Sequence, residues 1–132
     1  MSDKLYLYLA HLANHGHVPA VSVISTVMSV QQNPARVISD AGFKSVGYHP
    51  FAGFPLVLNP PNCLEVTGLS AEHTRMRPDE RNCTTSDLKL GQRIELLPGY
   101  GDSFLGNQRQ LYGVRQNVIA EVFTVETKGA SL

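Results

Sequence analysis

The side chains with the most chemical potential lie in three places. Tyr100 and Asp102 stand two residues apart, just after Arg93-Ile94-Glu95-Leu96-Leu97 and the pair Pro98-Gly99. If the backbone is extended there, phenol and carboxylate face the same way. His11, His15 and His17 crowd one short stretch, Ala10-His11-Leu12-Ala13-Asn14-His15-Gly16-His17. Imidazole is a common ligand for zinc, copper and nickel. No carboxylate or cysteine lies close by, so a solvated loop between strands is the preferred reading. Nucleophilic chemistry has less support: Ser25, Ser29, Ser39, Ser45 and Ser103 occur without a nucleophile elbow, and neither cysteine has a histidine adjacent in sequence.

The elements that must position these groups read mainly as strands. Lys4 to Leu9 puts Leu5, Leu7 and Leu9 on one face and Tyr6 and Tyr8 on the other, the pattern of a half-buried strand. Val18 to Val30 is rich in β-branched residues, with Ser22, Ser25, Thr26 and Ser29 suited to an outer or lumen face. Asn33 with Pro34 predicts the cap and first turn of a short helix that ends before Gly42. Further strands are expected over Phe43–Tyr48, Leu56–Leu58 and Cys63–Leu69, and Thr74 to Lys89 reads as a charged, mobile connection. Arg93–Leu97, Gln110–Arg115 and Val118–Glu126 are strands, the first followed by a polar loop and the last two joined by a tight turn at Gln116-Asn117. Short strands, one helix and long loops predict a mostly β fold, a small barrel or sandwich in a single domain over residues 1–132.

Bulk properties narrow the function. At 132 residues, 42% apolar and 17% charged, the chain can bury a core without metal or disulfide staples. Eleven Lys and Arg balance eleven Asp and Glu, so the electrostatic footprint of a nucleic-acid binder is missing. No apolar run is long enough to cross a bilayer, and the start Met1-Ser2-Asp3-Lys4 lacks the build of a secretion signal, so the expected location is the cytoplasm. In that reducing compartment Cys63 and Cys83 are expected as free thiols.

Four blocks in order carry a resemblance: Val23-Ile24-Ser25-Thr26-Val27; Pro34-Ala35-Arg36 with Asp40-Ala41-Gly42-Phe43-Lys44-Ser45; Leu69-Ser70-Ala71-Glu72-His73; and Leu88 to Pro98. Tyr112-Gly113-Val114-Arg115 and a closing strand follow. Over Val18 to Ser131 the chain resembles the C-terminal β domain of the D-serine dehydratase/D-threonine aldolase family, alanine-racemase-like pyridoxal phosphate enzymes. The resemblance implies a metal-binding pair, a histidine and two residues on a cysteine or aspartate, that polarises a substrate hydroxyl. Tyr100 takes the histidine's place and Asp102 keeps a carboxylate. With His73, whose block approaches the active-site side in that family, Tyr100 and Asp102 form a candidate site for zinc or manganese. A phenol must lose a proton to ligate strongly, which weakens the pair. The alternative is structural: Tyr100 packs as an aromatic, Asp102 caps a turn and His73 is partly exposed.

The resemblance also implies what this chain does not hold. The family's pyridoxal phosphate sits in an N-terminal α/β barrel for which there is no room, so no cofactor is expected to be bound by this chain alone, and Lys44 belongs to a structural block. Two functions follow as expectations. One is a stand-alone, non-catalytic domain that binds a small molecule or protein through the face meant for the barrel, with Phe51, Phe54 and Phe104 on it and with self-association as one way to cover it. The other is an accessory subunit that completes a separate barrel-type protein in metal-assisted lyase chemistry on a D-amino acid.

Overall fold

β-branched and alternating segments set the architecture of the computed structural model, which describes residues 18–50 and 53–126. Strand β1 (Val23–Gln32) turns at Asn33-Pro34, a cis peptide, into β2 (Ala35–Ser39). After α1 (Phe43–Val46) come β3 (Leu56–Asn59), β4 (Leu64–Leu69) and β5 (Thr74–Pro78). A 3-10 turn at Thr85–Asp87 leads to β6 (Arg93–Leu97), α2 (Gly101–Asn107), β7 (Gln110–Arg115) and β8 (Val118–Thr124). The fold is mostly β, as expected.

Among the described residues six strands form one antiparallel sheet in the order β3-β6-β1-β2-β5-β4, while β7 and β8 pair with each other. The six-stranded sheet curls into a nearly closed barrel whose two edge strands, β3 and β4, approach one another. Every second residue points inward: Ser25 and Val27, Val37 and Ser39, Thr74 and Met76, Leu64 and Val66, and Ile94 and Leu96 are all buried. Val27, Val37, Val46, Met76, Ile94 and Leu96 are the most completely buried apolar residues of the core. Fully burying side chains of this kind is worth roughly 1.5–3 kcal/mol each.

Ser25, Ser39 and Thr74 make a polar layer at one end of the barrel, where neighbouring strands place them together (Ser39↔Thr74, Val27↔Ser39). Asp40 closes that end of β1: Ser25 Oγ and the Thr26 amide donate to its Oδ1 at 2.9 and 2.7 Å. Thr74 Oγ1 donates to the Ala41 carbonyl.

Several local expectations are overturned. Residues 33–39, expected as a helix, are a turn and a strand, because Val37 and Ser39 alternate with partly exposed Ile38 in register with β1 and β5. Phe43–Val46, expected within a strand, is a single helical turn docked on the β4–β5 turn: the Phe43 and Lys44 amides donate to the carbonyls of Ser70 and Ala71 at 2.9 and 3.2 Å. The stretch expected as a mobile connection contains β5, whose Thr74, Met76 and Pro78 are buried between outward-facing Arg75 and Arg77. The expected polar loop after β6 is α2.

The cysteines are also corrected: Cys63 and Cys83 are joined in a disulfide. The bridge pins the loop after β5 to the start of β4, bringing together residues 20 apart in sequence. Lys4–Leu9, His11, His15, His17 and Phe51 lie outside the described residues.

Candidate functional site

Three chain segments leave the strands at the end of the barrel marked by the polar layer. The β2 exit gives α1, the β4–β5 turn gives Ser70 to His73, and the β6 exit gives Tyr100 and α2. Backbone hydrogen bonds tie α1 to the Ser70–Ala71 carbonyls on one side. On its other side α1 meets α2: Gln108 Nε2 donates to the Ser45 carbonyl at 2.8 Å, and a side chain at Gly47 would come within 2.6 Å of the Phe104 nitrogen. The result is a row of turn, α1 and α2 across the barrel end.

Pro98-Gly99 ends β6 as expected, and Tyr100 then takes the N-cap position of α2 with extended backbone. Its carbonyl accepts from the Phe104 amide at 3.2 Å and from Ser103 Oγ at 3.3 Å. Asp102 sits in the first helical turn, so the backbone between the two is not extended as supposed. Their side chains still meet, with Tyr100 Oη donating to Asp102 Oδ2 at 3.0 Å. The bond to Asp102, and the charge of that carboxylate, raise the phenol's pKa above its ordinary value. The proton that would have to leave for Tyr100 to ligate a metal is therefore held more firmly.

His49 was not singled out by sequence reasoning and is part of this site. Its ring lies against that of Tyr100, with centroids 4.6 Å apart and planes inclined by 37°. The signal missed was the sequence Gly47-Tyr48-His49: Gly47 has φ +69°, a turn that swings the following residues back over α2. His73 is exposed, and its backbone engages Ser70 in a local turn. No contact between His73 and Tyr100 or Asp102 is seen.

The donors present do not by themselves fit a divalent cation. Among the described residues no three His, Cys, Asp or Glu side chains gather as a metal group. Tyr100 and Asp102 are spent on each other, a neutral phenol and one exposed carboxylate. Nor is there an amine free for an internal Schiff base at Lys44, whose Nζ pairs with Glu72 at 2.6 Å on the surface.

Phe104, expected on an exposed binding face, is instead buried in α2. Phe54 is partly exposed, beside the gap between β3 and β4. The broad apolar face lies elsewhere, on the β7–β8 hairpin. Cross-strand partners share a face, and the register pairs Tyr112 with Val122 and Val114 with Ile119. These four are 57%, 51%, 59% and 59% exposed, a continuous apolar stripe on a sheet that is two-stranded among the described residues. Among the described residues no helix is long and apolar enough to cross a membrane.

The nearly closed antiparallel barrel with short helices across one end and a projecting hairpin is a fold shared with solved proteins. An alanine-racemase-like protein from Idiomarina loihiensis superposes with a TM-score of 0.62 at 16% identity, over 69% of this chain and 27% of that one. The chain belongs to the family described as "Putative serine dehydratase domain", whose profile matches residues 20–114. D-threonine aldolase from Filomicrobium marinum is similar at 24% identity and a TM-score of 0.69, over 84% of this chain and 29% of that one. D-threo-3-hydroxyaspartate dehydratase from Delftia sp. HT23 is similar at 20% identity and a TM-score of 0.65, over 80% and 31%. This chain thus spans about a third or less of the structures it resembles. No curated protein matches the sequence.

Proposed function

We propose that this chain is a non-catalytic docking domain that binds a protein partner through its β7–β8 hairpin, the partner being a separate α/β-barrel protein or a second copy of the chain. The observation that carries the reading is the stripe Tyr112, Val114, Ile119 and Val122. An isolated two-stranded ribbon is marginal in water, and one with four exposed apolar side chains on one face gains most when another surface covers it. The Tyr100–Asp102 bond supports the non-catalytic part, because it engages both groups that the family would turn toward a metal.

The test is a photo-crosslinking residue in place of Tyr112, in the full chain expressed in its native cell, with sedimentation of the purified protein alongside. A crosslink to an α/β-barrel protein or to a second copy of the chain supports the reading, provided Ile119→Asp with Val122→Asp abolishes it. A monodisperse monomer whose hairpin crosslinks to neither would overturn it.

A second reading is favoured by one feature, the surface carboxylate of Asp102 at the end of the barrel shared with α1 and the His73 turn. On that reading the chain is an accessory subunit of a metal-assisted D-amino acid lyase, with Asp102, Tyr100 and His73 offering donors that the partner completes. Titration of Mn²⁺ and Zn²⁺ into wild type and Asp102→Ala decides it. Stoichiometric binding lost in the variant supports the subunit, and binding indifferent to Asp102 removes it.

A further inference from the structure

The turn after β5 is built on one residue. Asp79 Oδ1 accepts from the Arg81 amide at 3.2 Å and from Arg81 Nε at 3.0 Å, and Oδ2 accepts from Arg81 Nη2 at 3.1 Å and Asn82 Nδ2 at 2.9 Å. The Asp79 carbonyl accepts from the Asn82 and Cys83 amides at 2.8 and 2.9 Å, and the Asp79 amide donates to the Cys63 carbonyl at 2.8 Å. Cys83 is thus folded back onto Cys63 by hydrogen bonds that involve no sulfur. Beside it, the ladder from Leu64↔Pro78 to Leu69↔Thr74 holds β4 on β5. The disulfide joins two cysteines that the backbone already brings together.

Cys83 Sγ also lies 2.9 Å from the carbonyl oxygen of Cys63. A disulfide sulfur has no proton to give that oxygen, whereas a thiol donates to it. The same backbone therefore suits both oxidation states: joined, the sulfurs satisfy each other, and reduced, the Cys83 thiol has an acceptor in place.

We propose that Cys63 and Cys83 form a reversible redox site whose substrate is a dithiol. One thiolate of the dithiol attacks a cysteine Sγ, and the other Sγ leaves as a thiolate and takes up a proton. The second thiol of the reductant then displaces the first cysteine from the mixed disulfide. Two electrons and two protons pass to the pair, and the reductant departs as its own disulfide. Both cysteines are buried, so attack requires the turn to open. Arg81, Asn82 and Cys83 bond back to Asp79, so opening residues 80–83 leaves the β4–β5 ladder in place. Residues 79–82 also line the open groove beside Leu64 and Val66. The oxidised pair fixes that wall, and the reduced pair lets it move.

The test equilibrates the full chain, without denaturant, with mixtures of reduced and oxidised dithiothreitol, and counts thiols by alkylation and mass. Both cysteines are expected to become thiols together and to rejoin in the oxidised mixture. The amide NMR spectrum should stay dispersed in both states, with shifts confined to residues 62–64 and 78–84. Asp79→Ala, which loosens the turn without touching sulfur, should move the equilibrium about tenfold toward the dithiol, because the effective concentration of one thiol at the other falls. In native cells quenched with acid and alkylated, the disulfide fraction should rise on treatment with diamide. A bond that resists dithiothreitol in the folded protein overturns the proposal, as does a reduced form that loses its dispersed spectrum. So does a pair found in the same single state in cells with and without diamide. The wild-type measurements decide the matter even if Asp79→Ala does not fold.

Discussion

Replacing Gly42 by alanine probes the joint that holds α1 across the end of the barrel. A Cβ built on Gly42 would lie 2.3 Å from the Ser70 carbonyl oxygen and 2.4 Å from that of Ala71. Both are backbone atoms that accept the Phe43 and Lys44 amides, so relief of the overlap requires α1 to lift from the turn. Two lost hydrogen bonds cost about 2 kcal/mol together. Loosening the helix that buries Val46 adds about 1 kcal/mol, for a loss near 3 kcal/mol. With a urea slope of about 2 kcal/mol per molar, the midpoint falls by about 1.5 M. Two further alanines separate overlap from backbone strain. Gly91 has φ +79° and open space, so Gly91→Ala loses about 1 kcal/mol. Gly101 has open space and no such φ, so Gly101→Ala changes stability by less than about 0.5 kcal/mol. If Gly42→Ala falls by less than Gly91→Ala, the close approach is not what holds α1 in place and the reasoning fails.

Other outcomes follow from the same geometry. The disulfide closes a loop between residues 20 apart, so Cys63→Ala with Cys83→Ala should lower stability by about 3 kcal/mol, and the unreduced wild type should show no free thiol to Ellman's reagent in denaturant. Burial pushes the Asp40 carboxyl up, but donation from the Thr26 amide and Ser25 hydroxyl outweighs it and leaves the pKa below 3.8. Its stabilising effect is present above the unfolded value and is lost as pH falls below about 3.8; Asp40→Ala should flatten that acid limb of a pH–stability profile. The Tyr100 phenol is shifted the other way. Any stability from its bond to Asp102 is present below the ordinary phenol pKa and lost as pH rises through the raised one. Ultraviolet titration should show this ionisation moving down in Asp102→Asn.

The sequence patterns that survived are those in which period and chemistry agreed. Arg93–Leu97 alternates Ile94 and Leu96 inward against charged neighbours, and the Gln116-Asn117 turn has the left-handed backbone that a two-residue hairpin requires, φ 49° and 62°, without a glycine. β5 was concealed by its own exposed face: in Thr74-Arg75-Met76-Arg77-Pro78 the two arginines read as a charged loop, although the inward residues keep strict alternation. Residues 33–42 hold a good capping signal, yet pairing of Val37 and Ser39 with strands on both sides outweighs a single local preference. α2 was illegible because about two turns of helix are too short for periodicity, and the burial of Phe104 anchors it. At the site, the meeting of Tyr100 with Asp102 was legible in their spacing. His49 was not, since its approach depends on the Gly47 turn and on a helix that the sequence did not announce.

The projecting hairpin also bears on how much of this protein a cell would keep. Chaperones and proteases sort folded chains by the apolar surface they leave uncovered, and the β7–β8 stripe is such surface beside a nearly closed barrel. On the docking proposal, a copy without a partner would carry a mark for removal that a copy in complex hides. If the hairpin docks as proposed, steady-state abundance should follow the partner's supply rather than the rate of synthesis, with surplus chain cleared without any dedicated recognition sequence.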